Sequence, residues 1–209
     1  HNPHYLRNAY FDVSTIQFSS DIVEVINASD VIIIAVPSIH IVSCLANVEA
    51  KHLEGKKIVS AVKGVLPIHN ILLHQYLEKV YHFPLENYFT LLGPSHAEEV
   101  AAEQLSYLTF SGLDQTFTEK IASCFESEYI NTVVNADVVG VQYAGVVKNI
   151  YALGAGIAHG LEYGDNFLSV YIANCANEMQ LLLSAIMHKE GNACKGVNYN
   201  DSVYLGDLL

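Results

Sequence analysis

Arginine is nearly missing from this chain. Arg7 is the only one in 209 residues, and 10 basic side chains face 22 carboxylates, for a formal net charge of -12. Phosphate backbones are held by clustered Lys and Arg; none cluster here, so nucleic acid is excluded as a partner. A ligand phosphate would have to be held by a few lysines and by backbone N–H groups. The four cysteines, Cys44, Cys124, Cys175 and Cys194, form no C-x-x-C pair and no regular spacing. That argues against a disulfide framework and suits reduced thiols in a cytosol. The ten histidines offer no H-E-x-x-H and no cluster with Cys or carboxylates at ligand spacing, so no metal site is expected. Ser95, next to His96, lacks the G-x-S-x-G frame of a nucleophile elbow. No secretory leader is read at the start, and the apolar run from Val31 to Val36 is too short to cross a bilayer. The stretch from Val138 to Leu161 is long enough, but Gln142, Lys148 and Asn149 at mid-span and five glycines mark a buried helix of a soluble protein, with no membrane insertion.

The first two thirds of the chain alternates strands with helices. Val31-Ile-Ile-Ile-Ala-Val36 is a β-branched run of the kind buried on both faces of a parallel sheet; Ile58–Val62 and Tyr88–Leu92 are two more. Helical spacing runs over about Ile39–Val48 and Ile68–Tyr81. Ser106–Phe110 and Tyr129–Val134 read as further strands, with a helix over about Gln115–Phe125 between them. This order predicts a doubly wound, Rossmann-like, mostly parallel α/β sheet over residues 1–135. From about Ala136 the pattern turns helical, and 136–209 is expected to form a smaller all-helical domain. A chain of this length needs no disulfide to support its core.

The junctions after the first three strands matter most. Val36 leads into Pro37-Ser38, Val62 into Lys63-Gly64, and Leu92 into Gly93-Pro94-Ser95-His96-Ala97. Right-handed crossovers put the carboxyl ends of parallel strands on one edge, so these three polar junctions should converge on one crevice, where an open α/β sheet binds its ligand. By contrast, Gly154-Ala-Gly156 with Gly160 matches a dinucleotide fingerprint only by letters, because it lies inside a helical stretch.

Lys148 is the only Asp, Glu, Lys or Arg between Val138 and Leu161. At 3.6 residues per turn it shares a stripe with Val141, Ala144, Ala152, Ala155 and His159, so small inward-packing residues should surround an ammonium group. Such a lysine either reaches water along its stem or faces a polar pocket, because an unpaired buried charge costs several kcal/mol. The second case offers an acid-base group.

Taken together, Ala35-Val36-Pro37-Ser38, Ala61-Val62-Lys63-Gly64, Gly93-Pro94-Ser95-His96-Ala97-Glu98-Glu99-Val100-Ala101, Asp137-Val-Val-Gly140, Val147-Lys148-Asn149, Gly164-Asp165-Asn166 and Gly206-Asp207-Leu208 occur in the order and approximate spacing of NAD(P)-dependent glycerol-3-phosphate dehydrogenase. The chain resembles that family over essentially its whole length, and its bacterial, Bacteroides-type branch most. The opening His1-Asn-Pro-His-Tyr-Leu6 is similar to the family's segment after its second strand. The resemblance implies hydride transfer between NAD or NADP and dihydroxyacetone phosphate, giving sn-glycerol 3-phosphate for phospholipids, by a cytoplasmic homodimer. It implies Lys148 as the catalytic proton donor and acceptor, and Lys63, Gly93, Ser95, Asn149 and Asp207 as substrate-binding residues. It places Pro37, Lys63 and Ala97 at the cofactor. Desolvation would depress the lysine's pKa and Asp207 would raise it.

Two departures accompany the resemblance. The family's G-x-G-x-x-G turn after the first strand and its Ser-Arg-Asn phosphate element are absent from these residues. The sheet is therefore expected to be incomplete at its N-terminus, and the 209-residue chain alone to be inactive and to bind nucleotide poorly. The alternatives are another nicotinamide-dependent dehydrogenase, of the 6-phosphogluconate or 3-hydroxyacid type, and a non-catalytic nucleotide-sensing relative.

Overall fold

The computed structural model describes residues 5, 6, 9, 12–189 and 202–205. Five strands, β1 (Val31–Ile34), β2 (Lys57–Ser60), β3 (Tyr88–Leu92), β4 (Ser106–Ser111) and β5 (Ile130–Asn135), form one sheet in their chain order. The first three are parallel to one another, β4 is antiparallel to β3, and β5 is parallel to β4. The sheet is thus mostly parallel, as the sequence predicts, but it reverses direction once.

Alternation along the strands assigns the two faces. On one face Ile34, Ile58 and Tyr88 share a buried cluster with Ile41, Leu45, Leu53 and the inward side of α4 (Leu73–Tyr81), namely Leu73, Tyr76, Leu77 and Tyr81. The short helices α1 (Ile22–Asn27), α2 (Ile41–Cys44) and α3 (Ala50–Leu53) complete this layer. After β3 comes α5 (Ala97–Ala101), and the chain then turns back at the same edge, where the Tyr107 N–H donates to the Pro94 carbonyl at 3.3 Å. That return, in place of a full crossover, is why β4 runs the other way. On the opposite face α6 (Gln115–Ser123) packs on β4 and β5 and reaches β3 through Phe117, whose ring lies 4.6 Å from that of Phe89. Lys57 Nζ sits 4.4 Å from the Phe117 ring centre and 3.1 Å from the carboxylate of Asp114, the residue that caps α6.

Several element bounds differ from those read in the sequence. The stretch 39–48 is a 3-10 turn, Ser38–His40, leading into α2, and α3 is separate from it. Helix α4 starts at Leu73, not Ile68, because Ile68 and Asn70 take positive φ of 73° and 52° in a turn closed by the Leu66 N–H donating to the Ile71 carbonyl. Strand β2 stops at Ser60, whose Oγ accepts from the Val62 N–H.

The chain then forms α7 (Val138–Gly160), α8 (Gly164–Lys189) and, farther on, the single turn α9 (Ser202–Leu205). At about 1.5 Å per residue α7 is far longer than a five-residue strand, so only its first half can lie on the sheet. That half is buried from Val138 through Gln142 and again at Ala144, Val147 and Lys148, whereas Ala152 and His159 are exposed and Ala155 is half-buried. The expected inward stripe therefore holds only as far as Lys148. Beyond it α8 is the main support: Tyr171 donates to the Tyr151 carbonyl at 3.1 Å and its hydroxyl occupies the space beside Gly154. Gly154 and Gly156 lie within α7, as their surroundings predict.

A buried polar network fixes α7 on β3 and α4. Gln142 Nε2 donates to the Val138 carbonyl at 2.6 Å and meets His74 Nδ1 at 3.0 Å, while Gln142 Oε1 accepts from the Tyr88 hydroxyl at 3.0 Å. Burial holds the His74 pKa below its ordinary value, with the Gln142 hydrogen bond working in the other direction. A neutral ring, with Nδ1 as the acceptor, fits this network. The folded pKa is lowered, so the unfolded chain binds the proton more readily. The stability this contributes is complete above the ordinary value of 6.5 and is lost as pH falls through it toward the lower folded value. Thermal denaturation between pH 7.5 and 5 should therefore show a falling Tm that is flatter in His74→Gln; equal slopes would refute the assignment.

Candidate active site

Three strand ends meet at one edge of the sheet. Ala61 continues the pairing of β2 with β1 by donating its N–H to the Ile34 carbonyl at 2.9 Å. The following loops then touch: a Cβ on Gly64, whose φ is 126°, would lie 3.3 Å from Ser38 Oγ. The Pro37-Ser38 and Lys63-Gly64 junctions are thus side by side, with Pro37 and the Lys63 side chain exposed. On the neighbouring strand Gly93 has φ 129°, and a Cβ there would come within 2.6 Å of the Tyr107 carbonyl oxygen. The loop accordingly requires glycine twice over, for its backbone angle and for the close return of β4. Ser95 Oγ donates to the Gly93 carbonyl at 3.3 Å and is half-buried; Ala97 opens α5 and is exposed.

Helix α7 brings Lys148 to the same edge. Val141, Ala144 and Val147 share one buried cluster with Leu92, the last residue of β3. The turn that carries Lys148 therefore lies at the carboxyl end of β3, beside the Gly93 loop. Lys148 is only 6% exposed, so its stem does not escape into open solvent. Asn149 is exposed, one residue round the helix, and so does not share the lysine's buried side. Asp207 lies outside the described residues, as does the rest of the Gly206-Asp207-Leu208 string. Among the described residues no group of three or more His, Cys, Asp or Glu is placed to hold a metal ion.

The structure adds residues that sequence reading did not assign. Asp137 caps α7, its Oδ1 accepting from the Gly140 N–H at 2.8 Å, and its Oδ2 accepts from the Tyr204 hydroxyl of α9 at 2.6 Å. The only local signal was the Asp137-Val-Val-Gly140 string itself, with the cap at its first position.

Comparison with known proteins places this arrangement. The family model for the NAD-dependent glycerol-3-phosphate dehydrogenase N-terminus matches residues 1–118, and that for the C-terminus of the same family matches residues 137–209. The chain belongs to the NAD-dependent glycerol-3-phosphate dehydrogenase family. It is 31% identical over 210 residues to glycerol-3-phosphate dehydrogenase [NAD(P)+] of Streptococcus pneumoniae strain P1031, a match that covers 100% of this chain and 60% of that relative. Among solved structures, glycerol-3-phosphate dehydrogenase of Coxiella burnetii is similar with a TM-score of 0.76 and 25% identity, over 90% of this chain and 55% of that one. The Plasmodium falciparum glycerol-3-phosphate dehydrogenase gives a TM-score of 0.76 and 27% identity, over 91% and 52%. The chain thus spans about 60% of the length of the curated relatives it matches. The sheet and the helical layer after it are those of the glycerol-3-phosphate dehydrogenase fold.

In this family member Gly93 is the most constrained point of the site. Gly93→Ala should lower stability by about 2 kcal/mol or more, the scale of one strained backbone position plus a backbone clash. Urea denaturation measures this, and an unchanged midpoint would contradict it.

Proposed function

We propose that the gene product carrying this chain transfers hydride between NADH or NADPH and dihydroxyacetone phosphate, giving sn-glycerol 3-phosphate. The observation that carries the reading is the burial of Lys148 at the carboxyl end of β3, in a chain of this family. The strand-end edge fits a dinucleotide: the Ser38 side chain packs directly against Gly64, so the two loops abut where the ligand would lie. Pro37, Lys63 and Ala97 would hold the nicotinamide cofactor, which supplies or accepts the hydride when bound.

The chain's own residues do the rest. As the substrate carbonyl becomes an alkoxide at C2, negative charge develops on its oxygen; the Lys148 ammonium neutralises that charge and donates the proton. In the reverse direction the lysine takes the proton back. Gly93 and Ser95 position the substrate by backbone and hydroxyl groups, and Lys63 supplies a cation for its phosphate. Asp207 holds substrate beside Lys148, and Asn149 orients either the substrate or the lysine. In this reading residues 1–135 serve the dinucleotide and 136–209 the substrate. The gene product acts in the cytoplasm as a homodimer. No described helix is long and apolar enough to cross a membrane.

Two variants of the gene product test the assignment. Lys148→Met should lower kcat by about 1000-fold or more while the fold and ligand affinity persist, since general acid catalysis and charge stabilisation are lost together. Retained turnover would refute the role. Lys63→Ala should chiefly raise KM for dihydroxyacetone phosphate, and an unchanged KM would count against it. A panel that includes 6-phosphogluconate and 3-hydroxyacids with both cofactors separates this activity from related dehydrogenases.

A further inference from the structure

We propose that Tyr204 is a positioning residue: its hydroxyl, bonded to the Asp137 carboxylate, fixes α9 against the first turn of the helix that carries Lys148 and so holds that helix in register. This role rests on the reading of Lys148 as the catalytic acid. Tyr204 is 1% exposed and Asp137 2%, and the bond between them, at 2.6 Å, joins residues 67 apart in sequence. The adjoining Val203 packs into the cluster of Leu92, Val141, Ala144 and Val147, the same residues that seat Lys148's turn on β3.

Both carboxylate oxygens of Asp137 are in use, one for the Gly140 N–H and one for the phenol. Gly140 makes this geometry possible, because a Cβ there would occupy the space of the Asp137 carboxylate. One turn of helix has too few internal hydrogen bonds to hold itself, so the place of α9 depends on these tertiary contacts. Fixing α9 in this way also holds the first turn of α7, the foot of the helix that carries Lys148. A phenylalanine would fill the same volume, so that substitution isolates the hydroxyl.

The test uses Tyr204→Phe in the gene product carrying this chain. The expected result is a loss of about tenfold in kcat/KM for dihydroxyacetone phosphate, with KM for the nicotinamide cofactor unchanged and Tm well above the assay temperature. Amide hydrogen exchange should quicken at Val203–Leu205 and stay the same in α8. Asp137→Asn, whose amide can still cap α7 and bond the phenol, should keep most of the activity. Unchanged kcat/KM overturns the positioning role, whether or not exchange quickens; unchanged exchange overturns the latch. If the unmodified gene product does not turn over dihydroxyacetone phosphate, the functional reading has failed and the positioning role with it, and exchange alone then decides whether the latch exists.

Discussion

Burial of one lysine on α7 is the constraint around which the rest of the structure is arranged. An amine at 6% exposure is tolerable only if the helix that carries it cannot slide or roll, since a small displacement would change what the ammonium meets. The first half of α7 is accordingly tied at several points by buried polar groups. Gln142 bonds to the strand through Tyr88 and to α4 through His74, and Asp137 caps the first turn. Val141, Ala144 and Val147, in one buried cluster with Leu92, continue the attachment beyond these anchors toward Lys148. Apolar contact alone is non-directional, whereas hydrogen bonds with defined partners fix a register.

The edge that α7 reaches is assembled from strands running in both directions. The carboxyl ends of β1, β2 and β3 lie beside the start of β4, because the chain returns after α5 instead of crossing over. This reversal brings the Tyr107 backbone so close to Gly93 that no side chain fits there. A loop held that closely offers backbone groups at fixed positions, which suits a phosphorylated ligand in a chain so short of arginine.

Sequence reading recovered what is local and periodic. The strand Tyr88–Leu92 agrees residue for residue, α6 starts at Gln115 as its spacing predicts, and α7 starts two residues past the Ala136 boundary. The three strand-end junctions and Lys148 were legible because glycine after a strand, and a charge within an apolar helix, are conspicuous against their surroundings. Other features depend on partners far along the chain. The direction of β4 follows from how a short return packs, and no spacing encodes it. The exposure of Ala152 and His159 follows from the helix outrunning a five-residue strand. The Tyr204–Asp137 bond was illegible because Tyr204 sits in an ordinary apolar run, and only folding brings it to the first turn of α7. Asp207, expected from the resemblance to lie beside Lys148, lies outside the described residues.

The most direct measurement is an experimental structure of the gene product with a nicotinamide dinucleotide and dihydroxyacetone phosphate bound. The account predicts Lys148 Nζ at hydrogen-bond distance, about 3 Å, from the substrate C2 oxygen, with the Lys63 and Gly93 loops around the same ligand. Substrate bound away from the carboxyl ends of β1–β3, or a Lys148 side chain turned out into solvent in that complex, would contradict it.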